Sequence, residues 1–89
     1  MFLLDEDLRT SGASEVQHIP YLFRGNYRPL QVSMTGVATV VFQGRNDPDL
    51  PWVNLLQFTE SGAAAVALMR EVRVDMTGND GAVSVELDV

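Results

Sequence analysis

With one histidine and no cysteine, the chain has few routes to nucleophilic chemistry. A Ser–His–acid triad would have to use His18, two residues before Pro20. No serine sits in the nucleophile-elbow setting that presents a strained hydroxyl, so His18 reads as a surface or structural residue. Carboxylates pair at Asp47/Asp49 and at Asp75/Asp80. Glycoside hydrolysis needs two carboxyl groups about 5–10 Å apart across a cleft, and so small a chain has little room for one. Asp and Asn in tight loops ordinarily bond their own backbone, and that is the reading here. Asn46, Asp47 and Asp49 could supply oxygens to Ca²⁺, but no glutamate closes a twelve-residue loop begun at Asp47. No catalytic, cofactor-binding or metal-ligating residue is assigned. The expectation is a protein that is not an enzyme and has no cofactor.

A second constellation joins rings to guanidinium groups: Tyr21, Phe23, Arg24, Tyr27 and Arg28. Such groups stack on bases or sugars. The chain carries twelve acids against six arginines and no lysine, a net charge of −6. Affinity for a phosphate backbone comes from cationic neutralisation, so nucleic acid is not an expected partner. Sugar stacking would need two of these rings, or Trp52, to be exposed. The plainer reading packs the rings on the core and turns the arginines toward acids. Near the N-terminus, Phe2, Leu3 and Leu4 are three consecutive large apolar residues with little reason to stay in water. The expected partner-binding residues are therefore Phe2, Leu3, Leu4, Tyr21, Phe23, Arg24, Tyr27 and Arg28.

The elements that must position these groups are mostly strands. Leu30, Val32 and Met34 alternate with Gln31, Ser33 and Thr35, the period of a half-buried strand. The Val37–Gln43 run blurs that alternation, as a central strand covered on both faces does. After the turn Arg45-Asn46-Asp47-Pro48-Asp49 comes Trp52–Phe58, where Trp52, Leu56 and Phe58 share one parity. The alanine-rich stretch 63–69 favours a helix by propensity. It is about two turns long and sits between strands, so it reads as an irregular strand. Val72, Val74 and Met76, and then Val83, Val85, Leu87 and Val89, alternate with polar residues about the turn Thr77-Gly78-Asn79-Asp80-Gly81. Residues 16–28 hold Pro20 and Gly25-Asn26, and read as a short edge strand or irregular segment.

Eighty-nine residues make one domain, and 46% hydrophobic content is enough for a core. The fold class expected is all-β: a small antiparallel β-sandwich, jelly-roll or immunoglobulin-like, of six to seven strands. Residues 1–15 are expected as an extended N-terminal arm and 16–89 as the sandwich domain. No stretch reaches the ~20 apolar residues of a membrane-spanning helix. The start has no basic residue and too short an apolar run for a secretory signal, so neither membrane nor Sec export is expected.

The run Val32-Ser33-Met34-Thr35-Gly36-Val37-Ala38-Thr39-Val40-Val41-Phe42-Gln43-Gly44-Arg45-Asn46-Asp47 is followed by Trp52-Val53-Asn54-Leu55, by Val72-Arg73-Val74-Asp75-Met76-Thr77 and by Val83-Ser84-Val85-Glu86-Leu87. This order resembles a family of small virion proteins of tailed bacteriophages, with its V-x-x-T-G-x-A-T-V-x-x-Q-G-x-N-D stretch, W-V-x-L strand and late V-R-V-x-x-T strand. The resemblance covers about residues 30–89. Arg45 replaces the usual small residue before the Asn-Asp turn, and Pro48–Pro51 extends that turn. The resemblance implies a capsid decoration, or cement, protein: a structural component of the virion, made in the host cytoplasm, binding the major capsid protein. Such proteins often sit as homo-oligomers, commonly trimers. No catalytic residue carries over, because the motif is a folding motif. Two other readings stand beside it: a carbohydrate-binding β-module of a tail fibre or surface protein, and a small acidic phage protein that inhibits a host enzyme.

Overall fold

The alternating apolar residues do what their period demands. Leu30 and Val32, then Val72, Val74 and Met76, then Val83, Val85 and Leu87 are all buried in a single core with Val40, Phe42, Val66 and Leu68. The computed structural model describes residues 1–89 and contains nine strands. They are β1 (Phe2–Asp7), β2 (Gly12–Ala13), β3 (Gln17–His18), β4 (Tyr27–Met34), β5 (Thr39–Arg45), β6 (Val53–Phe58), β7 (Gly62–Ala67), β8 (Glu71–Thr77) and β9 (Val83–Leu87). One 3-10 turn, Tyr21–Phe23, is the only helical element.

Two antiparallel sheets stack. One runs β1-β9-β4-β7, and the other β2-β8-β5-β6 with β3 also on β8. The pairings are nested. β1 pairs with β9, β2 and β3 with β8, β4 with β7, and β5 with β6. The chain is thus one long hairpin, folded over so that β4 meets β9 and β5 meets β8. Counting β2 and β3 as one broken strand gives the eight-stranded jelly-roll order and not the immunoglobulin one. The stretch 63–69, read as an irregular strand, forms regular β7. Its alanines pair with β4 from Gly62↔Val32 to Ala67↔Tyr27, so cross-strand pairing overrides helix propensity.

The N-terminal segment departs from expectation. Residues 2–7 are not a free arm but the edge strand of the first sheet. Leu3 and Leu4 are 7% and 4% exposed, inside the chain's own core. The β1–β9 register slips between Phe2 and Leu4 and again before Asp7. A bulge of this kind lets two successive side chains share one face. Burying each leucine contributes about 1.5–3 kcal/mol, more than an arm in water would gain. Leu3 and Leu4 are therefore not available to a partner.

A second bulge decides where Trp52 goes. Phe42 pairs with Leu56 but Gln43 with Asn54, which leaves Leu55 as the extra residue. The slip reverses side-chain parity upstream of it. Leu56 and Phe58 pack on the core, while Asn54 and Trp52 turn to the outer face of the second sheet, opposite to the simple alternation.

Candidate functional site

Antiparallel nesting puts the connections β3–β4, β5–β6 and β7–β8 at one end of the sandwich and the other four at the opposite end. That opposite end is sealed by hydrogen bonds. Asn79, 5% exposed, donates through its side-chain amide to the carbonyls of Arg9 and Gly81 at 2.9 Å and of Asp7 at 3.2 Å. Asp80 Oδ1 accepts from the Val37 N–H at 2.6 Å, and Thr35 Oγ1 accepts from the Ala82 N–H at 2.8 Å. A Cβ on Gly81 would lie 2.6 Å from Thr35 Oγ1 and 2.8 Å from the Gly36 nitrogen, so only glycine permits this approach. Asp7 and Arg9 form a close ion pair at 2.9 Å. The hydrogen bond from the Arg9 side chain holds the Asp7 carboxyl below its usual range, against a smaller upward push from burial.

The first end is of another kind. Its loops are tied by backbone bonds, from Ile19 N–H to the Arg70 carbonyl (2.9 Å) and from Gly25 N–H to the Leu68 carbonyl (2.7 Å). Several large apolar side chains above them are wet, beside the exposed Arg24, Asp49 and Arg70. Tyr21 is 80% and Leu22 85% exposed, and Tyr27, Leu50 and Val53 are exposed too. Met1 and Val89 add to the same end through the paired tips of β1 and β9. Leu8 and Val37 are the only exposed large apolar side chains at the sealed end. A hollow of about 240 Å³ opens here between Arg45, Asn46, Leu50, Pro51, Val53 and Met69.

Of the sequence-derived partner residues, Tyr21 and Tyr27 stand free on this end, and Phe23 is half-buried against the core. The arginines do not face acids. Arg24 lies 5.6 Å from the Tyr21 ring centre and donates from Nε to the Ile19 carbonyl, while Arg28 lies 5.2 Å from that of Phe23. Phe2 lies apart from the aromatic cluster, on the outer face of the first sheet beside Gln31, Ser33, Ser84 and Glu86.

Beside this end, the outer face of the second sheet carries a polar network. Glu71, 3% exposed, accepts from Arg45 Nε at 2.7 Å and faces His18 Nδ1 at 3.0 Å. Gln43 accepts from Arg73 Nε through Oε1 (2.7 Å) and donates through Nε2 to Asn54 Oδ1 (2.8 Å). The guanidinium carbons of Arg45 and Arg73 lie 4.1 and 4.4 Å from the centre of the Trp52 ring. Cross-strand register brings them together: Gln43 opposes Arg73 and Arg45 opposes Glu71. Compared with family models, curated proteins and solved structures, the chain matches none. What it does must be argued from this geometry.

In the sequence Trp52 has the same parity as Leu56 and Phe58, and the bulge at Leu55 breaks that parity, so the network was not foreseen. The signal that could have found it is the outward pair Glu71/Arg73 set against the outward pair Gln43/Arg45. Asp47 and Asp49 do as turn chemistry predicts: Asp47 Oδ1 accepts from the Asp49 N–H at 2.9 Å. No three or more acidic or histidine side chains are grouped to hold a metal ion. His18 Nδ1 faces Glu71, and its side chain is 74% exposed. No helix is long and apolar enough to cross a membrane.

Proposed function

We propose that this chain is a non-enzymatic virion protein that decorates a bacteriophage capsid, seating its apolar loop end on the major capsid protein. The observation that carries the reading is the segregation of exposed apolar side chains to one end, while the other end is closed by hydrogen bonds. Exposed apolar groups gathered on one surface mark a protein–protein contact. Large rings on a rigid frame lose little conformational freedom on docking, and aromatic residues are enriched at the centres of interfaces. Repetition of modest contacts over a symmetric shell multiplies their effect. The sequence resemblance to phage virion proteins points the same way.

The test is quantitative mass spectrometry of purified virions, where hundreds of copies per particle are expected and absence overturns the reading. A carbohydrate-binding module is the second reading, favoured by the exposed rings of Tyr21 and Tyr27. It requires glycan binding that is lost in Tyr21→Ala and Tyr27→Ala.

A further inference from the structure

We infer that the outer face of the second sheet carries an oxyanion-binding site, formed by the terminal guanidinium nitrogens of Arg45 and Arg73 beside Trp52. This rests on the arginine pair and not on the capsid reading.

Three observations carry it. The ion pairs of the chain are Arg9–Asp7, His18–Glu71 and Arg45–Glu71, so the half-buried Arg73 has no counter-ion within 4.0 Å. A cation removed from bulk water is stabilised by an opposite charge, and here the protein supplies the neutral Gln43 amide and the face of Trp52 but no acid. Both arginines also spend Nε alone on the protein. No buried side-chain nitrogen or oxygen lacks a partner, so the unpaired terminal nitrogens of both groups reach solvent. Finally, the pair is held in place. Glu71 and Gln43 fix the two Nε atoms, and the Trp52 ring fixes both guanidinium planes from within 4.4 Å. Planar forks with free N–H groups bind carboxylate and phosphate oxygens by charge-assisted, often bidentate hydrogen bonds. Because the donors are already ordered, little freedom is lost on binding.

Glu71 neutralises one of the two positive charges, and Asp75 lies two residues beyond Arg73 on the same outward face of β8. A small anion carrying a single charge fits the one positive charge that Glu71 leaves, whereas a polyanion would meet the chain's net charge of −6.

Trp52 is the only tryptophan, so its fluorescence reports the site directly. The intact chain is titrated with sodium acetate, sodium glucuronate and inorganic phosphate, with sodium chloride holding ionic strength constant. A saturable change with at least one oxyanion and none with chloride is expected. Acetate or glucuronate saturating alone assigns a carboxylate ligand, and phosphate alone assigns a phosphoryl ligand. Arg73→Gln should weaken binding about tenfold or more, the loss of one charge-assisted contact. Arg9→Gln, at the opposite end, should leave it unchanged. The Nε–Hε proton resonances of Arg45 and Arg73, followed by NMR, give a second readout that does not depend on fluorescence. Absence of saturation in both measurements, or equal responses in Arg73→Gln and the unmodified chain, overturns the inference.

Discussion

Glu71 and Arg45 are cross-strand partners on β8 and β5, and Oε1 of the first accepts a hydrogen bond from Nε of the second at 2.7 Å. Glu71 is almost wholly buried, and Arg45 is the less exposed of its two ion-pair partners. Arg45→Ala strands a carboxylate away from water and is expected to destabilise the fold by about 3 kcal/mol. His18→Ala removes only a solvent-exposed partner and should cost less than about 1 kcal/mol. Urea denaturation of the two variants separates these outcomes, and similar midpoints would show that Arg45 is not what holds the charge.

Leu4→Ala tests whether the first strand belongs to the core. The side chain is 4% exposed among core residues, and truncation of a buried leucine costs about 2–5 kcal/mol. A midpoint unchanged from the parent chain would return residues 1–15 to the status of a loose arm.

Asn79 acts as a clasp between the β1–β2 connection and the β8–β9 turn. Asn79→Ala removes its hydrogen bonds to three carbonyls and to the Gly81 N–H. Loss of about 2 kcal/mol is expected from leaving buried backbone groups without partners. Amide hydrogen exchange should accelerate first at Asn79 and Gly81, and uniform acceleration across all nine strands would count against a local clasp.

Acid has a defined effect at the same end. The Arg9 hydrogen bond lowers the folded-state pKa of Asp7, while an unfolded aspartate titrates near about 3.9. A lowered carboxylate pKa contributes stability above the unfolded value, and that contribution is lost as pH falls through the folded one. Asp7→Asn should therefore flatten the stability profile slightly below about pH 4 and leave its shape at neutral pH unaltered. Arg9 is half-exposed and solvent screens the pair, so the effect is small.

Leu22→Asp separates adhesion from folding. Leu22 is 85% exposed, and surface substitutions of this kind change stability by no more than about 0.5 kcal/mol. Co-sedimentation with capsid shells should fall sharply in the variant while its thermal midpoint stays within a few degrees of the parent.

The core was readable in β4, β8 and β9 because each of these strands buries one face and largely wets the other, so a period of two survives in the residue types. Three features escaped that reading. β1 holds adjacent leucines inward by a bulge, which erases alternation. Leu55 slips out of register and sends Trp52 to the opposite face. The Glu71–Arg45 contact joins residues 26 apart in the chain, and only sheet register brings such positions together. Tyr21 and Tyr27 were legible as candidates because their rings fall within or just beyond the segment broken by Pro20 and Gly25, and both are exposed, Tyr27 at the first position of β4. The same logic failed for Leu3 and Leu4, whose partner strand is the last in the chain.

That pairing of first strand with last sets a timetable. β1 has no neighbour to bond until β9 has left the ribosome, so until then the leucines of β1 remain uncovered. Such remote closure is slow, and until it occurs the nascent chain exposes two greasy side chains and a bare edge to any aggregating neighbour.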